Sequence, residues 1–209
     1  TLRALKYHGG VKIAELPNVN LKAVEAGFDN LRKHIENLKI FGVPFVVALN
    51  LFPADHQSEI ELWTELIKQE KARYALSNVY NQGGEGGLEL AAEVMKAMAE
   101  DKVNFQFLYA ADQPLLKKVE AIALKIYGAD GVKVETAARK KIELYEQLGL
   151  SNLPVCVAKT QASLSDDSKK IGRPRGWNLT LTNASLSSGA GFVVVHCGDI
   201  MTMPGLPKA

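Results

Sequence analysis

Gly42-Val43-Pro44-Phe45-Val46-Val47-Ala48-Leu49-Asn50-Leu51-Phe52-Pro53 decides the fold class. Residues 43–52 form an apolar, valine-rich run bounded by Gly42 and Pro53, the pattern of a parallel strand covered on both faces. Upstream, Leu21, Val24, Phe28, Leu31, Ile35 and Leu38 recur at helical spacing, so residues 21–41 are expected to form a helix with one buried face that Gly42 stops. Downstream, Ile60, Trp63 and Ile67 place a second amphipathic helix over about residues 57–70. A strand over 72–79, a loop over 80–87 and an alanine- and methionine-rich helix over 88–100 continue the alternation. The expected class is α/β, a parallel sheet with flanking helices.

Beyond Asp101 the texture changes. Pro114 suits the first turn of a helix that groups Leu115, Val119, Ile122 and Ile126. Gly128 and Gly131 punctuate a connection, and Thr136 is the expected N-cap of a helix ending near Leu148. Short β-branched strands over 154–159, 177–182 and 191–197 follow, separated by polar, glycine- and proline-containing loops. The expected division is an α/β region over 1–110 and a smaller α+β domain with short strands over 111–209. The connection 163–176 is longer than usual, and is expected to be a mobile, functional loop.

The 209 residues carry 25 basic against 23 acidic side chains, a formal charge of +2. This even balance sets up no field for nucleic acid or a membrane surface, so partners are expected to be recognised locally, with no nucleic acid and no membrane among them. The longest apolar run is about half of the ~20 residues a membrane-spanning helix needs, and no secretory leader pattern is present. Cys156 and Cys197 lie in apolar runs and not in a spaced framework, so both are expected to be reduced, buried thiols of a cytoplasmic protein.

Chemistry is expected where a parallel strand ends, because open parallel sheets bind ligands outside their carboxyl edge. Asn50-Leu51-Phe52-Pro53-Ala54-Asp55 stands there, and Leu51 and Pro53 rule out the Asn-Lys-x-Asp pattern that reads guanine. Phe52 either presents a flat apolar face to a planar ligand or plugs the core. Tyr80 leaves the neighbouring strand and either joins Phe52 as a second ring or covers the core. The run Gly83-Gly84-Glu85-Gly86-Gly87 could offer amides to an anion, but it lacks the following Lys-Ser/Thr of a phosphate loop, and a tight turn is its simpler role. His8, His34, His56 and His196 are scattered, so no metal site is expected. His8, beside a glycine pair in a basic stretch, suits either an anionic substrate or a helix end. Asp166-Asp167 suits a solvated turn.

Thr1-Leu2-Arg3-Ala4-Leu5-Lys6-Tyr7-His8-Gly9-Gly10 closely resembles a signature of the formate–tetrahydrofolate ligases (formyltetrahydrofolate synthetases), roughly Thr-Ile/Val-Arg-Ala-Leu-Lys-x-His-Gly-Gly. The same family has segments similar to Ala-Lys-Thr-x-x-Ser-Leu-Ser, Gly-x-Pro-x-Gly-Phe and Gly-x-x-x-Thr-Met-Pro-Gly-Leu-Pro. They are matched in the same order by the stretches beginning at Lys159, Gly172 and Gly198, with Arg175 and Trp177 in place of the family's threonine and phenylalanine. The sequence opens without methionine, in the middle of a signature, and is expected to be a piece of a longer protein whose phosphate-binding region lies upstream.

The resemblance implies formation of 10-formyltetrahydrofolate from formate, ATP and tetrahydrofolate by way of formyl phosphate. The family's Asn-x-Phe-Pro-x-Asp loop falls on Asn50, Phe52 and Pro53, and the tryptophan that opens its Trp-x-x-Gly-Gly-x-Gly-Gly loop is replaced by Tyr80; these rings are implied to hold the folate. Arg173, Pro174 and Trp177 are implied nucleotide-binding residues. No catalytic proton-transfer residue and no metal ligand is assigned. ATP and Mg2+ are expected to bind largely outside this chain, and the chain alone is expected to be inactive. Expected partners are tetrahydrofolate, the missing N-terminal P-loop region and a second copy of the chain. The alternative is a noncatalytic assembly or regulatory module derived from the same fold.

Overall fold

A computed structural model describes residues 1–198. The stretch Asp199 to Pro207, which carries most of the third matched segment, lies outside the described residues. The chain divides into two compact units, one of Thr1–Gln106 with Ile171–Arg173, the other of Phe107–Lys170 with the chain from Pro174 onward.

The first unit begins with α1 (Leu2–His8), whose Leu2 and Leu5 are buried, and α2 (Leu21–Phe41). The Asn20 side chain caps α2 by accepting from the Ala23 N–H at 3.0 Å, and Gly42 ends it in the left-handed conformation, φ 62°. Val24, Phe28 and Ile35 form its buried stripe. The two helices approach closely enough that a Cβ on Gly27 would stand 1.8 Å from the Leu5 carbonyl oxygen, and one on Gly9 would stand 2.0 Å from that of Ala23. Gly9 of the signature is therefore a packing residue, whereas Gly10, at φ 94°, has open space beside it and serves the turn of the backbone.

Strand β1 (Val46–Asn50) runs parallel to β2 (Arg73–Ser77), with Asn50 opposite Ser77. Between them α3 (Gln57–Gln69) places Trp63, Leu66 and Ile67 on Leu49 and Phe28. The expected strand over 43–52 is shortened, and the expected cover on both faces is absent: Leu49 is buried while Ala48 and Asn50 are exposed. The run is apolar enough for a doubly covered strand, yet the described residues supply helices for only part of it. The expected loop over 80–87 is instead a helical turn α4 (Val79–Gln82) and a 3-10 turn (Gly83–Gly87), leading to α5 (Leu88–Glu100). Arg73 opens β2 and binds α5 and its end through Glu93 at 2.9 Å, Glu100 at 2.7 Å and Asp101 at 2.8 Å.

The second unit carries a four-stranded mixed sheet in the order β3-β5-β6-β4. Helix α6 (Leu115–Ala121) starts after Pro114, and the Leu115 N–H donates to the Glu146 carboxylate at 2.8 Å. Ala123, four residues after Val119, continues the buried stripe of Leu115 and Val119, and where the helix widens into a π-helical turn (Ile122–Tyr127) Ile126 is only partly buried. The punctuated connection contains a strand absent from the sequence reading, β3 (Gly131–Val134). Helix α7 (Thr136–Gln147) has Glu135 at its cap position, so Thr136 is its first helical residue and makes no capping bond, contrary to expectation.

Strands β4 (Val155–Ala158) and β6 (Phe192–Cys197) are parallel, as are β3 and β5 (Asn178–Ser187), while β5 and β6 are antiparallel. An irregularity between Leu181 and Asn183 shifts the inward positions of β5 from Leu179 and Leu181 to Ala184. Cys197 is buried, its thiol pushed up to about 12 first by loss of water and then by Asp166. Cys156 is exposed, a correction to the expected pair of buried thiols: strand alternation turns it outward beside inward Val155. The α/β class with a parallel sheet and flanking helices, followed by an α+β unit of short strands, is the class this chain adopts.

Candidate functional site

The carboxyl ends of β1 and β2 lie side by side because Asn50 and Ser77 are register partners, and the Leu51 N–H extends the ladder to the Ser77 carbonyl at 2.9 Å. Phe52 is the next residue. Its N–H donates to the Asp55 carboxylate at 2.8 Å, and the Asp55 N–H donates back to the Phe52 carbonyl at 2.9 Å, closing a short turn around Pro53. On the neighbouring exit the Asn78 N–H donates to the Gly86 carbonyl at 2.9 Å. A Cβ on Gly86 would stand 2.3 Å from the Asn78 carbonyl oxygen, so the glycine run serves as a turn that folds α4, with Tyr80, back over the strand end.

The two rings meet, with centroids 5.4 Å apart and planes inclined by 46°. Phe52 is 36% exposed and Tyr80 74% exposed. They border a cavity of about 410 Å³ whose lining also includes Arg3, Leu16, Pro17 and Pro53. Asn50 is exposed at the end of β1 and is not among the lining residues. A flat ring held between two others needs about 7 Å between their centroids, twice a van der Waals spacing of about 3.5 Å. The observed pair is a closed one, and a sandwiched ligand requires the rings to part by one to two ångströms or so. Phe52 sits in a turn fastened at both ends, so the more exposed Tyr80 is the ring with freedom to move.

Beneath the cavity lies a pair that the sequence reading missed. The Lys6 ammonium donates to the Glu59 carboxylate at 3.1 Å, with both side chains almost fully buried. Lys6 also donates to the Asn18 carbonyl at 3.1 Å, and the second Glu59 oxygen accepts from the Asn20 N–H at 2.8 Å. The charges therefore tie α1, the turn before α2 and α3 together. The available signal was periodicity: Lys6 follows Leu2 by one helical turn, and Glu59 shares a stripe with Trp63 and Ile67.

His8 belongs to a structural contact. Its Nδ1 accepts from the Gly172 N–H at 3.1 Å, which requires a neutral ring, and burial followed by the nearby His34 lowers its pKa below the usual 6.5. A positively charged anion site at His8 does not fit this arrangement.

The residues of the second matched segment are separated in role. Arg173 belongs to the first unit, where its guanidinium grips both oxygens of Glu36 at 2.8 and 2.7 Å and reaches Asp29 at 3.5 Å. Pro174 and Trp177 belong to the second. Trp177 is 4% exposed within the apolar core and donates its indole N–H to the Pro174 carbonyl at 3.1 Å. A guanidinium already held by carboxylates and an indole enclosed by side chains do not fit a nucleotide phosphate or a stacked base. Among the described residues, no group of three or more His, Cys, Asp or Glu side chains could hold a metal ion. As placed, Arg173 and Trp177 offer no open contact for ATP.

The expected mobile loop over 163–176 is built on buried groups. Lys159 donates to the carbonyls of Thr160 at 3.0 Å, Ser165 at 3.2 Å and Ser163, with its ammonium 4.7 Å from the Tyr127 ring centroid. Ser163, Leu164 and Ser165 are buried, and the Thr180 N–H donates to the Asp166 carboxylate at 2.8 Å. Asp166 is thereby engaged by the strand β5 backbone and is not a freely solvated turn residue.

The first unit is an α/β protein whose adjacent parallel strands deliver two exposed rings to one edge, a class suited to a planar ligand. The sequence model of the formate–tetrahydrofolate ligase family matches residues 1–209, and the chain belongs to that family. Membership implies ATP-dependent ligation of formate to tetrahydrofolate.

Proposed function

We propose that Phe52 and Tyr80 hold the pteridine of tetrahydrofolate between them, with Pro53 setting the turn that presents Phe52 and Asn50 shaping the strand exit. The observation that carries this reading is the meeting of the two exposed rings, 5.4 Å apart, at neighbouring exits of one parallel sheet in a chain of a folate-using family. The chain would supply the folate side of a reaction forming 10-formyltetrahydrofolate by way of formyl phosphate. Its own contribution is positioning: a ring fixed on both faces has its reactive nitrogen held in one place, which lowers the entropic part of the barrier.

Phosphoryl chemistry with ATP and Mg2+ would then fall to a P-loop region of the same protein outside these 209 residues. The failure of Arg173 and Trp177 to fit a nucleotide supports that division, as does α5, which leaves Leu88, Met95 and Met98 exposed as a face for further polypeptide. On this reading the 209 residues alone show no formate-dependent release of ADP, and they work in the cytoplasm, where the exposed Cys156 stays reduced.

Titration of the chain with tetrahydrofolate, followed by tryptophan fluorescence or calorimetry, tests the reading. Binding is expected to weaken about tenfold in Phe52→Ala, since the ring contributes about 1–1.5 kcal/mol of contact, while unfolding stability shifts by less than about 0.5 kcal/mol because the ring is partly exposed. Unchanged affinity in Phe52→Ala removes the clamp. Absence of folate binding even after the rest of the protein is restored would favour a noncatalytic assembly module instead, a reading that the enclosed Trp177 also suits.

A further inference from the structure

We propose that Arg3 reads the acidic tail of the ligand whose flat ring the clamp holds, making the site selective for pteridines that carry a carboxylate. This inference rests on the folate reading of Phe52 and Tyr80 and adds a specificity residue to it.

The charged groups around the cavity lead to Arg3 by elimination. The lining contains Arg3, Lys6 and Asp55 as its only charged side chains, among Leu16, Pro17, Phe52, Pro53 and Tyr80, beside the Thr1 amino group, whose charged form burial disfavours. Lys6 is neutralised by Glu59 at 3.1 Å and spends a further donor on the Asn18 carbonyl. Asp55 is engaged with the Phe52 N–H at 2.8 Å. Arg3 is exposed, and its guanidinium has no ion pair or hydrogen bond among the described residues. Its backbone is nevertheless fixed, because Leu2 and Leu5 on either side are buried in the core of the first unit.

The cavity therefore offers apolar walls, a ring pair and a single unengaged planar cation. A guanidinium presents paired N–H donors that match both oxygens of a carboxylate, a fit that neither a neutral ring nor an uncharged tail can use. Tetrahydrofolate has the complementary parts, a flat pteridine at one end and glutamate carboxylates at the other. The rings recognise the head and Arg3 the tail, so the two ends of the ligand contribute separately to affinity.

The test compares tetrahydrofolate with its glutamate diester, which has the same rings and both carboxylates blocked, on the 209-residue chain at low and raised salt. The wild type is expected to bind the acid about fivefold more tightly than the diester at low salt, with the preference shrinking as salt screens the charge. Arg3→Gln, a substitution at an exposed position, lowers acid binding to the level of the diester and leaves the diester unchanged. Arg3→Lys retains the charge without the planar fork and recovers part of the preference. Equal affinity of Arg3→Gln and wild type for the acid, or an equal loss for both ligands, overturns the assignment of Arg3 while leaving the clamp intact. Failure of the wild type to bind either ligand overturns the clamp reading, and the inference about Arg3 falls with it.

Discussion

Phe52 and Tyr80 are exposed rings on short turns, 5.4 Å apart at the edge of a parallel sheet, whereas Trp177 is enclosed in a core and Arg173 is locked to Glu36. In sequence both regions show an aromatic residue close to a proline, and the second adds arginines, so both suit a planar or anionic ligand. What separates them is whether the side chain's interactions are already satisfied within the protein. A ring left partly exposed beside another exposed ring retains apolar surface to give to a ligand. An indole with its N–H bonded and both faces covered has none, and a guanidinium gripped by a carboxylate must give up that partner before taking another.

This contrast can be broken at its strongest point first. Trp177→Ala is expected to lower unfolding stability by about 3–5 kcal/mol, the cost of an emptied core site, as read from denaturant midpoints. A fully stable Trp177→Ala that loses nucleotide binding would place Trp177 on the ligand side of the comparison. Arg173→Ala removes a bidentate pair whose partner Glu36 is partly open to water, so about 1–2 kcal/mol of stability is expected to go, with no change in tetrahydrofolate affinity. Equilibrium unfolding and folate titration on the same sample check both halves.

A smaller effect tests the contact that holds residues 171–173 on the first unit. Because the folded-state pKa of His8 lies below its ordinary 6.5, the neutral ring is the one that accepts the Gly172 N–H. Its contribution is therefore present above about pH 6.5 and is lost as pH falls through the lower folded value. In His8→Asn an amide oxygen can take the acceptor's place without titrating. The wild type is expected to lose up to about 1 kcal/mol more stability than this variant between pH 7.5 and 5, the worth of one hydrogen bond. Parallel pH curves for the two proteins would dismiss the role of His8. The smallest expected change is a gain: Tyr80→Trp enlarges the exposed ring and should tighten tetrahydrofolate binding about two- to threefold, with stability unaltered. A weaker Tyr80→Trp complex would mean that the tyrosine hydroxyl, and not the ring area, matters at this exit.

The course of α2 was legible because an apolar stripe and a stop signal agree over residues 21–42, while its Asn20 cap emerged only in the structure. The placement of Phe52 and Tyr80 at neighbouring exits was legible too, since parallel strands in sequence order put their carboxyl ends on one edge. β3 was not, because four residues following Gly128 carry too short a pattern to separate from a turn. Thr136 misled as a cap because a threonine can equally well occupy the first helical position, and the local pattern does not fix which residue leaves the helix. Cys156 misled because an apolar run does not say which of its alternating residues faces a core. Lys159, with its ammonium shared among three loop carbonyls, gave no signal beyond its place in a matched segment.

The sequence by itself determined the family, the parallel α/β order of the first unit and the residues that leave its strands, since these follow from local periodicity, turn chemistry and ordered motifs. The tertiary structure alone decided which candidate side chains remain free to act. It spent the charge of Lys6 on Glu59, that of Arg173 on Glu36 and the surface of Trp177 on a core, and it left Phe52, Tyr80 and Arg3 around one cavity. The physical reason is that burial and pairing depend on residues distant in the chain, such as Glu59 for Lys6 and Glu36 for Arg173, and no local pattern encodes that meeting.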